Sequence, residues 1–65
     1  MPVSEKEIYQ SAHAVMGHYG DRAAAHAHER LAALRTAGDD LGVATWSRVA
    51  AAIEVIRNQD PDTVQ

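Results

Sequence analysis

The sequence predicts an all-α protein, a small three-helix bundle with a short disordered C-terminal tail. Three observations predict this fold class. Apolar residues recur at spacings of three and four along most of the 65 residues, as on the buried face of a helix. Alanine, the strongest helix former, is unusually frequent. Gly20 and Gly38 divide the pattern into three segments. We therefore expect one domain over residues 1–58, with helices at about 5–19, 22–37 and 40–58, and a disordered tail over 59–65.

The first helix has the clearest local start signal. Ser4 and Glu7 have the spacing of a capping box, in which each side chain accepts a hydrogen bond from the other residue's free backbone N–H. Val3 and Ile8 stand where a hydrophobic staple would close. The expected apolar face consists of Ile8, Ala12, Val15, Met16 and Tyr19. Gly20 then stands where a left-handed C-cap is expected.

The second helix has no breaker between Arg22 and Ala37, and Asp21 is its expected N-cap. Its expected inward positions are Ala24, Ala27, Leu31 and Leu34. Gly38 is expected to end the helix in a left-handed conformation. Asp39 or Asp40 is expected to cap the third helix.

The third helix carries the heaviest side chains. One stripe holds Trp46, Val49, Ala50, Ile53 and Ile56. Gly42 lies on the same stripe, so either the helix begins after Gly42 or another helix approaches the backbone there. Beyond Asn58 the periodicity is lost and Pro61 follows, which predicts the disordered tail.

The expected core is small for a chain that folds alone. It comprises Ile8, Val15, Met16, Leu31, Leu34, Trp46, Val49, Ile53 and Ile56. A core of this size seldom supplies more than about 3–5 kcal/mol. We therefore expect a second copy or another protein to complete the apolar surface.

The amino-acid composition limits which cellular compartment and which class of binding partner the sequence predicts. The chain has no cysteine, which excludes disulfides and thiolate metal sites and is compatible with a reducing compartment. No secretory signal or membrane span is visible, so a bacterial-type cytoplasmic protein with no membrane partner is expected. The formal net charge is −3, and Asp60 and Asp62 of the expected tail contribute two of the negative charges. Such a balance gives little attraction for phosphates or anionic lipids.

The histidines do not have the spacing of a metal pair on one helix. His13 and His18 are five residues apart, and His26 and His28 are two apart. At 3.6 residues per turn these pairs diverge by roughly 140° and 160°. A weak site that joins His18 to His26 across two helices is a remaining alternative. No metal-binding residue and no cofactor is expected.

No arrangement typical of catalysis is visible. Ser4, Ser11 and Ser47 lack a histidine and an acid at triad spacing. Asp39 and Asp40 are explained by helix capping and the helix dipole. There is also no glycine-rich phosphate loop. We expect a protein that is not an enzyme, with no catalytic residue.

Two binding classes remain. Helices two and three resemble a helix-turn-helix, but helix three offers only Arg48, Arg57 and Asn58 as outer cations or amides, so the sequence disfavours nucleic-acid binding. Protein binding is favoured because alanines cover nearly every side of helix two and permit close helix packing. Tyr9 and Val55 lie beside or outside the apolar stripes and are candidates for contact with a homodimer or hetero-protein partner.

Several of these positions form a recognisable series. It runs through His18-Tyr19-Gly20, Glu29-Arg30, Gly38-Asp39, Gly42, Trp46, Ala52 and Ile53. The series resembles a family of short, uncharacterised alphaproteobacterial helical proteins, a domain of unknown function. The resemblance covers most of residues 7–56 and implies the helical fold and an alphaproteobacterial origin. It implies no activity, cofactor or catalytic residue.

Overall fold

A computed structural model describes residues 4–59, and this part of the chain is helical almost throughout. Its elements are α1 (Glu5–Tyr19), a 3₁₀ turn (Gly20–Arg22), α2 (Ala23–Ala37) and α3 (Asp40–Asn58). The predicted all-α class is confirmed, and the predicted helix limits agree to within one residue. The predicted tail begins at Gln59, whose N–H instead hydrogen-bonds back to the last turn of α3. Residues 60–65 lie outside the described part.

The start of α1 is a complete capping box, as predicted. The amide of Glu7 donates to Oγ of Ser4 at 3.2 Å, and the amide of Ser4 donates to Oε1 of Glu7 at 3.2 Å. Both bonds satisfy amides that the first turn leaves without a helical partner. The expected staple involves Val3, which lies outside the described residues.

The connection between α1 and α2 differs from the prediction. Gly20 has φ 56° and ψ −124°, a positive φ that favours glycine but not the expected left-handed helical conformation. Asp21 is not an N-cap, because the chain continues through a 3₁₀ turn and Arg22 precedes α2 without a side-chain cap. The amide of Ala23 bonds to the carbonyl of Gly20 in this turn. The turn therefore supplies a backbone acceptor where a capping carboxylate was expected.

The connection between α2 and α3 is a Schellman motif built on Gly38, whose φ of 74° and ψ of 24° confirm the left-handed prediction. The amide of Gly38 donates to the Arg35 carbonyl (3.1 Å), and the amide of Asp39 donates to the Leu34 carbonyl (3.0 Å). Oδ1 of Asp39 accepts from the amide of Gly42 at 2.9 Å. Asp39 is therefore the cap, and α3 begins before Gly42.

The helix α3 is the common packing element. It contacts both α1 and α2, whereas α1 and α2 contact each other much less. The fold extends over 41 × 23 × 17 Å, longer in one direction than a compact bundle. The described residues thus show an all-helical fold without three comparable helix interfaces. The largest fully buried side chains, Ile53 and Val49, both belong to α3, which explains why the other helices pack on it.

The core contains more alanine than predicted. Of the nine residues expected in the core, Ile8, Leu31, Val49 and Ile53 are buried. The other five, Val15, Met16, Leu34, Trp46 and Ile56, are only half-buried. Their places are taken by buried Ala12, Ala23, Ala27 and Ala52. Small side chains let the helix backbones approach closely, which leaves the ends of longer side chains at the rim of the interface.

Candidate interaction surface

A set of stacked side chains, here called the aromatic patch, joins all three helices: His18, Tyr19, His26, Arg30 and Trp46. The Tyr19 and His26 rings stack with centroids 3.9 Å apart and an interplanar angle of 15°. His18 meets Tyr19 edge-on at 5.3 Å, and His26 meets Trp46 edge-on at 5.9 Å. Cζ of Arg30 lies 6.0 Å from the Trp46 ring centroid. The five side chains therefore form one continuous series of ring contacts.

Backbone geometry brings these residues together. Tyr19 is the last residue of α1, and Gly20 and the 3₁₀ turn redirect the chain so that Tyr19 meets His26 on α2. His26 and Arg30 are four residues apart, so both lie on the same face of α2. That face is turned toward Trp46 of α3. The patch thus depends on the α1–α2 connection and on the α2–α3 interface together.

The patch stabilises the fold but remains open on one side. Tyr19 is 41% exposed, Trp46 and His26 are half-buried, and His18 and Arg30 are exposed. An aromatic pair contributes about 0.5–1.5 kcal/mol beyond its buried area, and an exposed cation–π contact about 0.5–1 kcal/mol. Tryptophan, tyrosine and arginine are also the types that dominate the energetics of protein interfaces. This composition suits recognition of another protein.

Arg30 gives the patch a positive charge. Within residues 4–59 it takes part in no ion pair, and its contact is with the Trp46 ring. A guanidinium beside an aromatic ring makes no N–H hydrogen bond to that ring's carbon frame and can still donate to a carboxylate. The patch therefore combines apolar ring surface with a cation that can pair with an acidic group.

The histidines of the alternative metal site are both in the patch, with Tyr19 between them. The Tyr19 ring contacts both His18 and His26. His13 and His28 are exposed on α1 and α2. In the part of the chain that the structure describes, no group of three histidine or carboxylate side chains is placed to hold a metal ion.

The candidate residues of the other classes are dispersed. Arg48, Arg57 and Asn58 are exposed on α3, and Arg57 lies 3.7 Å from Glu54 in an exposed ion pair. Ser4 is engaged in the capping box. Ser11 and Ser47 are exposed on α1 and α3. The structure does not assemble these side chains into one site.

An open groove of about 870 Å³ runs between α1 and the C-terminal end of α3. Tyr9, Met16 and Ile56 supply its apolar surface, and His13 and Arg57 are among its polar lining. Tyr9, predicted as an external contact, is packed in part against the core. The groove is a second accessible apolar surface.

Sequence reasoning identified the members of the patch but not their association. Trp46 was expected in the core, Tyr19 on the apolar face of α1, and the histidines exposed or half-buried without a shared role. The i, i+4 pair of His26 and Arg30 was a visible signal that one face of α2 differs from the others. The stack of Tyr19 on His26 could not be read from spacing, because it depends on the conformation at Gly20.

The chain matches no family model, no curated protein and no solved structure. None of the helices in residues 4–59 is both long and apolar enough to cross a membrane.

Proposed function

We propose that this chain is a small protein–protein interaction or regulatory module, and not an enzyme, that works as a homodimer or as a subunit of a larger assembly. The observation that carries the proposal is the aromatic patch. It brings Trp46, Tyr19 and Arg30 together on a small helical scaffold and leaves Tyr19 and Arg30 exposed and Trp46 half-buried.

The composition of the core supports the same proposal. Half of the buried core residues in the described part are alanines. Burial of apolar area contributes roughly 25 cal/mol per Å², so an alanine contributes far less than a leucine. A partner that covers Tyr19, Leu41 or Val55 would bury larger side chains than several of those now in the core. Association would therefore add stability that the isolated chain lacks.

Sedimentation equilibrium over a wide concentration range, with thermal melts alongside, tests the proposal. A defined dimer with a melting temperature that rises with concentration would support it, because association stabilises only the folded state. A monomer that melts cooperatively at the same temperature at every concentration would contradict self-association. It would direct the search to hetero-partners that lose binding on Arg30→Ser.

Four further properties are proposed: the compact arrangement of the helices, the cellular compartment, the origin of the protein and its family. We propose that the three helices form a compact bundle in solution, supported by the contacts of α3 with both other helices. We also propose that the protein is cytoplasmic and bacterial. Its membership of the alphaproteobacterial family is proposed on the series of residues that includes Trp46 and Gly38.

Two alternatives make different predictions. A nucleic-acid module acting through Arg48 and Arg57 should bind DNA with an affinity that falls steeply as salt rises. A metal site should give a melting temperature that zinc or nickel raises, and the rise should disappear in His18→Ala. If neither the salt-dependent DNA binding nor the metal-dependent rise in melting temperature is observed, protein binding remains the favoured class.

A further inference from the structure

The outer face of α3 carries a regular set of exposed residues, here called the outer stripe: Leu41, Ala44, Arg48, Ala51 and Val55. Every member is exposed. Leu41 and Val55 are 69% and 39% exposed, and they are two of the three exposed large hydrophobic residues in the described chain. The stripe is turned away from Val49 and Ile53, which are buried in one cluster with residues of α1 and α2.

A shallow groove of about 180 Å³ adjoins the C-terminal half of this stripe. It lies between α3 and the first turns of α1 and is lined by apolar surface from Ile8, Tyr9, Ala51 and Val55. Glu5 and Arg48 are the charged residues of its lining. The chain thus carries a protruding apolar side chain, Leu41, and a separate apolar recess.

The spacing of the outer stripe favours one mode of self-pairing. Its residues follow each other at three, four, three and four, the a and d positions of a heptad repeat. The large residues Leu41, Arg48 and Val55 occupy one set of positions, and Ala44 and Ala51 occupy the other. In an antiparallel pair, a positions face d positions, so Leu41 can meet Ala51 while Arg48 meets Ala44, and Val55 then lies beyond the end of the facing stripe. A parallel pair would instead place Arg48 against its own copy.

We propose that a second copy of this chain docks antiparallel on the outer stripe, with Leu41 of each copy entering the groove beside Ala51 of the other. This inference rests on the proposed function and names its surface. The same register sets Ala44 opposite Arg48. It also brings Asp40, which precedes Leu41, toward Arg48 of the other copy, so charges of opposite sign meet twice about the two-fold axis.

The size of this contact indicates a weak dimer. Residues 41–51 span roughly 16 Å of helix, and the groove on α1 adds to the area. Such an interface is smaller than the range of stable complexes, so we expect a reversible monomer–dimer equilibrium. Trp46 lies on the opposite side of α3, toward α2, and the dimer leaves the aromatic patch open to a different protein.

A matched pair of substitutions tests the surface. Ala51 and Ala32 have matched surroundings, because each has one arginine and one glutamate three residues away. For Ala51 these are Arg48 and Glu54, and for Ala32 they are Arg35 and Glu29. Both alanines are exposed on helices. We expect Ala51→Glu to raise the dimer dissociation constant by about tenfold or more, as for central interface positions. Ala32→Glu should leave it unchanged. Sedimentation equilibrium gives both constants, and far-UV circular dichroism verifies the fold.

A charge exchange tests the register. Arg48→Glu and Asp40→Arg should each weaken self-association, because like charges then meet at both ends of the dimer. An equimolar mixture of the two variants should recover the wild-type constant. In the mixed dimer the two introduced charges have opposite sign and meet at one end, while the unchanged Arg48 and Asp40 meet at the other. Recovery requires reciprocal contact between positions 40 and 48. If either charge variant fails to fold, Leu41→Ser provides the loss of affinity without a charge change.

The outcomes separate this inference from the function on which it rests. A dimer that Ala51→Glu and Leu41→Ser do not weaken, and that Tyr19→Ser does, would overturn the outer stripe and leave the interaction module standing. A mixture of charge variants that stays monomeric would overturn the antiparallel register. A chain that remains monomeric at every accessible concentration would overturn the inference while a hetero-partner could still satisfy the proposed function.

Discussion

Gly42 is constrained by the cap that precedes it. A Cβ at this position would lie 2.8 Å from Oδ2 of Asp39 and 2.9 Å from Cδ2 of Leu34. Alanine normally stabilises a helix by about 1 kcal/mol relative to glycine. We expect Gly42→Ala to lower the free energy of unfolding instead, by about 1 kcal/mol, because displacing the Asp39 cap and Leu34 outweighs the helix preference.

Gly17 provides the matched control, because a Cβ there meets nothing within 4 Å. Gly17→Ala should raise the free energy of unfolding by about 0.5–1 kcal/mol. Urea denaturation of both variants measures the difference. Equal stabilisation by the two alanines would show that the contact at Gly42 relaxes without cost.

Residue-scale predictions from the sequence succeeded where the physics is local. The capping box of Ser4 and Glu7 and the left-handed Gly38 involve neighbouring backbone groups only, so the sequence signals them directly. Asp21 has the chemistry of a cap, yet it lies inside a 3₁₀ turn, and the amide of Ala23 bonds to the Gly20 carbonyl instead. That outcome depends on how α1 meets the other helices, which no short sequence pattern contains.

At the scale of elements, Asp39 belongs to two helices at once. Its amide ends α2 through the Leu34 carbonyl, and its carboxylate begins α3 at Gly42. We expect Asp39→Ala to lower the free energy of unfolding by about 1–2 kcal/mol, because the backbone bond survives and the cap is lost. Chemical denaturation followed by circular dichroism measures the change.

Asp39→Asn is the matched variant, since asparagine caps a helix nearly as well as aspartate. It should retain most of the stability. Asp40→Ala should also have a small effect, since Asp40 contributes through the helix dipole rather than a hydrogen bond to a described backbone amide. A loss in Asp39→Asn as large as in Asp39→Ala would mean that charge, not the hydrogen bond, is responsible.

Most helix limits were predictable because a glycine or a capping residue marks them, as Ser4, Gly20, Gly38 and Asp39 do. The arrangement of the helices was not. Turns at Gly20 and Gly38 looked equivalent in sequence, but Gly38 closes a Schellman motif and Gly20 leads into a 3₁₀ turn. The limited contact between α1 and α2 follows from that difference in backbone conformation and from the position of Ile53 and Val49 on α3.

At the scale of the whole molecule, the alanine core sets the separation of the helices. Ala27 has no exposed surface and lies in the same cluster as Val49 and Ile53. We expect Ala27→Leu to destabilise the protein by about 1–3 kcal/mol, because the added carbons force α2 away from α3. Ala32→Leu, on the exposed side of α2, should change stability by less than about 0.5 kcal/mol.

Thermal and urea unfolding of these two leucine variants decides the point. Stabilisation by Ala27→Leu would show that the core contains unfilled space and that α2 is not held closely against α3. The sequence predicted a core of large side chains because volume usually marks the interior. Ala12 and Ala27 were predicted on inward faces, but Ala23 and Ala52 were not; all four are interior because close helix approach, a tertiary property, favours the smallest side chain.

The aromatic patch could be predicted only in part at this scale. Its members are visible in the sequence, and Trp46 was placed on the correct helix. Their association requires the ends of α1, α2 and α3 to be placed correctly at once. The candidate site therefore lies beyond single-helix periodicity, even though every helix limit was predicted to within one residue.

The role of α3 as the common packing element has a consequence for the order of events during synthesis. The ribosome adds residues from the N-terminus, so α1 and α2 are made before the helix on which both pack. Until Ile53 has been added, Ile8 and Ala27 lack the surface that buries them. We infer that the domain cannot acquire its tertiary structure progressively as the chain grows. We expect most of the apolar surface of α1 and α2 to be buried only after α3 has emerged.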